Sequence, residues 1–198
     1  MCDEVATGFG RTGTLFACEQ EGVSPDIMAV AKGLTGGYLP LAATLTSSEV
    51  YNAFLGRYEE FKAFFHGHSY TANPLGCAAA LATLSIFAKE KVLQHVSVLS
   101  RKMAEELARI KDHPHIGDIR QKGLMVGVEI VAHQGTREPF EASRKLGQRV
   151  ALKVRDRSII LRPLGDIIVL MPPLSSTEEE IEHLVRSVRW AMDEVLWA

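Results

Sequence analysis

The chain has 198 residues, 46% of them hydrophobic, and a formal net charge of −2. That is enough apolar material for one large domain or two small ones. The near-neutral balance, with no lysine or arginine block, argues against a nucleic-acid partner, and no apolar run is long enough to span a bilayer.

No charged-then-apolar signal segment opens the chain. Cys2, Cys18 and Cys77 are odd in number, far apart and without a CxxC. They read as reduced thiols, which points to a cytoplasmic location rather than a disulfide framework or a zinc knuckle. Met1 to Val5 reads as the tail of a buried strand with no body before it. A parallel sheet does not usefully begin on a strand end, so the chain is expected to be a piece whose front is missing. Asp3 and Glu4 place carboxylates at that strand's C-terminal edge, where open α/β sheets meet their ligands. Gly8-Phe9-Gly10-Arg11-Thr12-Gly13 matches GxGxxG. No helical run follows Gly13 directly, and no acidic residue ends a second strand about 20 positions on, so the segment reads as a flexible glycine turn.

Leu15 to Glu21 suits a short helix closed by Gly22. Ile27 to Ala31 is a short apolar run that reads as a buried strand. It ends in Lys32, followed by the turn Gly33-Leu34-Thr35-Gly36-Gly37. A lysine at the end of a buried strand delivers its amine to a cleft. Desolvation there disfavours the ammonium and leaves a nucleophile able to form a Schiff base. The plainer alternative is a lysine that ends a strand at the surface. Leu41 to Leu45 reads as another buried strand. Ser47 or Ser48 caps a helix through about Phe54, with Glu49 in its first turn, and Gly56 to Phe65 reads as an exposed loop. His66-Gly67-His68-Ser69-Tyr70-Thr71 allows three readings. The HxH pair shares a strand face but lacks a third metal ligand at a familiar spacing. Ser69 or Thr71, with neighbouring N–H groups, suits a phosphate. A plain surface loop is the third.

Asn73-Pro74 opens an alanine-rich helix, Leu75 to Ala88, expected to be buried on most sides. Val92, Val96, Leu99, Met103, Leu107 and Ile110 then step by three or four, an amphipathic helix that covers a sheet. Pro114, Gly117 and Gly123 punctuate a change to the strand Leu124 to Val131, in which Glu129 is either an exposed residue or a buried partner. A helix over 140–157 shows Leu146, Val150 and Val154 on one face. Ile159 to Leu161 reads as a strand that returns through Pro163 and Gly165 into Ile167 to Met171. Arg162, at the end of that first strand, suits a bidentate carboxylate partner or a local ion pair with Asp166. Ser176 and Glu179 form a capping box for the last helix, whose apolar face is Ile181, Leu184, Val188, Ala191 and Val195. The fold class is α/β: a strand-rich part, 1–89, then a smaller α+β unit, 90–198.

Asp3, Lys32 placed 29 residues later, the 66–71 loop and Arg162 followed by Pro172-Pro173 stand in one chain. The runs Asp3 to Gly13 and Asp26 to Gly37 resemble the signature of the class III pyridoxal-phosphate aminotransferases, and the resemblance covers the whole chain. It is greatest to the biotin-biosynthetic branch of that family, carried also by His66 to Tyr70, Asn73 to Cys77 and Arg162 to Pro173. The resemblance implies the C-terminal portion of a fold-type I enzyme: 1–89 from the large, mainly parallel-sheet domain and 90–198 as the small C-terminal domain. It implies pyridoxal 5′-phosphate as cofactor. Lys32 would be the catalytic, coenzyme-holding lysine. Asp3 would pair with the ring nitrogen, Val5 would pack on the ring, and His68 and Ser69 would reach the phosphate across a homodimer interface. Threonine is frequent in the family where this chain has Ser69. Gly67 would line the substrate pocket and Arg162 would hold the substrate carboxylate. The implied partners are S-adenosylmethionine or lysine as amino donor and 8-amino-7-oxononanoate as keto acceptor. The family's phosphate-gripping Ser-Gly loop and ring-stacking aromatic are absent from these residues, so the chain alone is expected to bind coenzyme poorly. The alternatives are another class III enzyme acting on an ω-amino acid, ornithine or amine, a non-catalytic remnant and, most distant, a metal module through His66 and His68.

Overall fold

The structure is a computed structural model that describes residues 1–197. It divides into two compact units, Met1–Leu93 and Gln94–Ala198.

The first unit holds a three-stranded sheet of β1 (Cys2–Asp3), β2 (Ile27–Val30) and β3 (Ala43–Thr46), in that order. β1 and β2 run parallel, with Asp3 opposite Ala29; β2 and β3 run antiparallel, with Ile27 opposite Thr46. Between β1 and β2 the glycine run is all turn, and a 3₁₀ helix, Ala17–Glu21, closes on Gly22 in left-handed conformation. The expected helix there is thus present as its tighter 3₁₀ form. After β3 come α1 (Ser48–Ala53), capped by Ser47 Oγ, which accepts from Val50 N–H at 3.4 Å, and α2 (Pro74–Lys89), capped by Asn73 Oδ1. Phe9, Val30, Leu34 and Ala80 are its buried apolar residues, with Leu15, Phe16, Met28, Leu41 and Phe87 packed around them.

Two expectations fail in this unit. β3 is exposed along its whole length, because it is an edge strand held only through β2. In α2 only Gly76 and Ala80 are buried, and Leu75, Leu81, Leu84 and Ile86 are open. A helix apolar all round has no built-in choice of face. α2 packs with the side that meets the Lys32–Thr35 turn.

The second unit sets β4 (Ile116–Lys122), β5 (Met125–Ile130) and β6 (Ile167–Leu170) as an antiparallel sheet, with α3 (Val92–Ala108), α4 (Leu146–Lys153) and α5 (Glu178–Leu196) around it. α3 begins two residues before the boundary between the units. Leu99, Met103, Ile130, Leu146, Ile168, Leu170, Ile181 and Met192 are sealed from water. Burying each such side chain contributes about 1.5–3 kcal/mol. Glu129 proves half-buried and paired with Arg120 Nη1 at 3.0 Å.

Here the corrections are local. Ile116–Lys122 is a strand that its charged, glycine-containing sequence hid. Ile159–Leu161 is not a strand: Ser158 turns left-handed at φ +61°, and Pro163 brings no N–H for a ladder. α4 starts at Leu146 rather than Phe140, after Lys145 at φ +50°. The last capping box lies one residue on: Thr177 Oγ1 accepts from Glu180 N–H at 3.2 Å and Glu180 Oε2 from Thr177 N–H at 2.9 Å. Ser176 is buried, with its carbonyl 2.9 Å from His95 Nε2. No helix among the described residues is long and apolar enough to cross a membrane.

Candidate active site

Asp3 is the last residue of β1, and Lys32 lies three positions past its register partner Ala29 on the neighbouring parallel strand. Both therefore stand at the C-terminal ends of hydrogen-bonded parallel strands. With strands about 4.8 Å apart and about 3.3 Å per residue, their Cα atoms are on the order of 10 Å apart, within reach of one small molecule between two side chains.

Each is held by its backbone. Asp3 Oδ1 accepts from Val5 N–H at 3.0 Å, which fixes the carboxylate beside the half-buried Val5. Lys32 begins a one-turn 3₁₀ helix, Lys32–Thr35, that closes on Gly36, and its own φ is +43°. Its side chain is exposed rather than sunk at the end of a buried strand, since in β2 only Val30 is fully covered.

The neighbouring carboxylate, expected with Asp3 at the ligand-facing strand end, turns inward instead. Glu4 is 2% exposed. Its Oε1 accepts from Cys18 N–H at 2.8 Å and its Oε2 takes the Thr7 hydroxyl in a short hydrogen bond. Burial pushes its pKa up, but hydrogen bonds from Thr7 and from Cys18 and Ala17 outweigh that and hold the carboxyl below its ordinary value. Glu4 N–H bonds the Ala29 carbonyl at 2.9 Å, and Glu4 O accepts from Gly8 N–H at 2.9 Å. One ionised side chain thus ties strand β1, the glycine turn and the 17–21 helix together. The signal available beforehand was its place beside Asp3, with Thr7 three residues on.

The 66–71 loop is wholly exposed and bonds to itself. His68 N–H reaches Thr71 Oγ1 at 3.1 Å, Tyr70 N–H reaches His68 Nδ1 at 3.1 Å, and Thr71 N–H reaches the His68 carbonyl at 3.0 Å. Gly67 and Ser69 lie open within it. Among the described residues no three His, Cys, Asp or Glu side chains gather as metal ligands. Arg162 belongs to the second unit and is exposed, and among the described residues it makes no ion pair. Asp166, the local partner considered for it, accepts from Gly147 N–H at 2.8 Å instead and serves the start of α4. The structure thus brings Asp3, Val5 and Lys32 to one sheet edge, and holds the 66–71 loop and Arg162 on other elements.

The family model described as aminotransferase class-III matches residues 1–192. The adenosylmethionine-8-amino-7-oxononanoate aminotransferase of Nitratidesulfovibrio vulgaris is 55% identical over 192 residues, 97% of this chain and 35% of its own length. The crystal structure of the enzyme of that name from Methanocaldococcus jannaschii is similar at a TM-score of 0.94 and 49% identity, covering 97% of this chain and 45% of the other. A PMP-bound aminotransferase from Vibrio fluvialis is similar at a TM-score of 0.92 and 32% identity, covering 98% of this chain and 43% of the other. The chain spans less than half the length of each of these proteins.

Proposed function

The chain belongs to the class III aminotransferases, a family dependent in general on pyridoxal 5′-phosphate, and from that premise we propose that its whole protein is the aminotransferase of biotin biosynthesis that aminates 8-amino-7-oxononanoate to 7,8-diaminononanoate. The observation that carries the reading is the pairing of Asp3 and Lys32 at the same end of two adjacent parallel strands. The donors fit the coenzyme chemically: a carboxylate fixed by Val5 N–H, and an exposed amine at the head of a turn. When bound, pyridoxal 5′-phosphate supplies an electron sink for the carbanion at the substrate Cα. Asp3 would keep a proton on the ring nitrogen, Val5 would offer apolar contact, and Lys32 Nζ would hold the coenzyme and move the proton at the substrate Cα. His68 and Ser69 serve the phosphate from the partner subunit of a homodimer, Gly67 lines the substrate pocket, and Arg162 takes the substrate carboxylate as a bidentate pair. What supports a partner or further chain is the open apolar surface of Tyr51, Phe54, Tyr58, Phe61, Phe64 and Phe65. The amino donor is S-adenosylmethionine or lysine, and the setting is cytoplasmic.

The test uses the full-length protein. Borohydride reduction after loading with pyridoxal 5′-phosphate, followed by peptide mapping, places the label on Lys32. Lys32→Ala loses the label and at least about 1,000-fold in turnover, as expected for removal of a proton-transferring group. A label retained in Lys32→Ala sinks the reading. A second reading, a class III enzyme acting on an ω-amino acid or amine, draws on the likeness to an omega-transaminase from Thermomicrobium roseum, at a TM-score of 0.91 and 40% identity over 98% of this chain and 43% of the other, and uses the same Asp3 and Lys32. Product from 8-amino-7-oxononanoate decides for the first, and its absence alongside turnover of simple amines decides for the second.

A further inference from the structure

Of the five non-glycine residues of the first unit with left-handed backbone, two stand on turns that meet at Gly33: Phe9 at φ +56° and Lys32 at φ +43°. That conformation costs a residue with a Cβ about 1–2 kcal/mol and persists only where the surroundings over-determine it. For Lys32 the constraint is visible one residue on. Gly33 is packed so closely on Phe9 that an added Cβ would stand 2.9 Å from Phe9 Cβ and 3.2 Å from Cδ2. Phe9 has no room to recede. It is 4% exposed and meets Phe16 and Phe87 edge-on at 5.6 and 6.4 Å between ring centres. Its turn is pinned on both sides, by Gly8 N–H on the Glu4 carbonyl at 2.9 Å and Gly10 N–H on the Leu15 carbonyl at 3.3 Å. The first of these carbonyls belongs to the clamped Glu4.

We propose that Phe9 is a positioning residue for Lys32: seated against Gly33, it holds the left-handed turn that sets the direction in which the lysine side chain leaves the strand. The proposal rests on the reading of Lys32 as the coenzyme lysine. Its leverage is geometric. A swing of about 10° at the base of a side chain about 6 Å long moves the amine by about 1 Å, and a misplacement of that size costs roughly 100-fold where near-attack geometry sets the rate. Phe9 touches neither coenzyme nor substrate in this account and acts only through Gly33.

The test compares full-length Gly33→Ala, Phe9→Gly and the pair Phe9→Gly/Gly33→Ala, with Leu99→Ala in the second unit as a destabilised control. The readouts are the pH midpoint of the absorbance of the lysine-bound coenzyme, and kcat and KM separately. Gly33→Ala shifts the midpoint by roughly half a pH unit or more, because the amine sits differently against its charged neighbours. It lowers kcat about 100-fold with KM little changed. In the pair the Phe9 Cβ that obstructs the methyl group added at position 33 is gone, so the methyl adds nothing further: the midpoint returns to that of Phe9→Gly alone and kcat stands at least about tenfold above Gly33→Ala, the non-additivity expected of touching residues. Leu99→Ala lowers the melting temperature and leaves the midpoint in place. A parent-like midpoint and kcat in Gly33→Ala, or a pair no better than Gly33→Ala, overturns the proposal. Should Gly33→Ala not fold, Phe9→Gly and Phe9→Leu carry the same readout, and a parent-like midpoint in both overturns it. Borohydride-fixed coenzyme on a residue other than Lys32 overturns the underlying reading as well, whereas an unmoved midpoint with the label still on Lys32 overturns this proposal alone.

Discussion

In the second unit Val126, Val128, Ile130, Ile168 and Leu170 line one face of the sheet, and α3 and α5 bring Leu99, Met103, Ile181 and Met192 into the same sealed interior. In the first unit Phe9, Val30, Leu34 and Ala80 are buried, while the aromatic residues from Tyr51 to Tyr70 and one face of α2 stand open. The second unit is therefore ordered by apolar packing. The first is ordered by short hydrogen-bonded turns, by a clamped carboxylate at Glu4 and by one aromatic wedge at Phe9. Asp3, Lys32 and the 66–71 loop all lie in this second kind of structure. Groups that must meet a ligand stand at strand ends and in turns, where side chains stay accessible and local devices have to fix them.

The largest effect that sharpens this contrast is Gly147→Ala. A Cβ there would collide with the Gly165 carbonyl oxygen and stand 3.0 Å from Asp166 Cα. Both are backbone atoms in a packed unit, so neither yields cheaply. The change also disturbs the Gly147 N–H bond to Asp166 Oδ1. A loss of about 3 kcal/mol follows, read as a lower urea midpoint. Gly135→Ala, where no atom lies within 4 Å of the added Cβ, stays within about 0.5 kcal/mol. Equal effects from the two would break the picture of a second unit governed by close packing.

Next comes Glu4→Gln. It keeps the shape and discards the charge on which Cys18 N–H and the Thr7 hydroxyl converge, at a cost of about 1.5–3 kcal/mol. Because the Glu4 carboxyl is held below its ordinary value, its contribution is fully present above the unfolded carboxyl's pKa and fades as pH falls through the folded value. The parent protein therefore loses more stability on acidification than the variant does. A variant as stable as the parent at neutral pH would show that the first unit is held by packing after all.

These two sites also mark how far the sequence was legible. Asp3 and Lys32 could be placed on strand ends because short apolar runs and a following glycine turn are local signals, and the parallel pair then brings them to one edge. The amphipathic faces of α3 and α5 were equally plain, since a period of three to four survives any tertiary context. Glu4 was not legible as a clamp. Burying a carboxylate depends on donors from Ala17 and Cys18, which nothing at residues 3 to 5 announces. β4 escaped because Asp118, Arg120 and Lys122 alternate on its outer face, where Arg120 pairs with Asp118 on its own strand and with Glu129 across the ladder. The open faces of β3 and α2 were misread as buried for the opposite reason: composition reports what a residue can pack against, not whether a neighbour is there.

The smallest expected effect tests whether the sealed unit has a titratable weak point of its own. His113 is fully buried where β4 begins. Its Nδ1 accepts from His115 N–H at 3.0 Å, its Nε2 lies 3.3 Å from Asp193 Oδ1 on α5, and the Trp197 ring is 6.4 Å away. Arg189 binds the same Asp193 at 3.1 Å. Burial, then the Arg189 charge, push the imidazole below its ordinary value, and the pull of Asp193 is too weak to reverse them. A histidine held neutral in the fold gives its full stability above the unfolded pKa near 6.5. That stability is lost as pH falls from there toward the folded value, because the unfolded chain binds the proton first. The melting temperature of the second unit therefore drops as pH falls below about 6.5, by roughly 4–8 °C for each kcal/mol involved. His113→Gln flattens this slope, and Asp193→Asn steepens it by removing the one group that favours the imidazolium. Glu4 acts only at lower pH, below the ordinary glutamate value, so the two units separate along one titration. A slope that survives His113→Gln unchanged would remove the buried weak point.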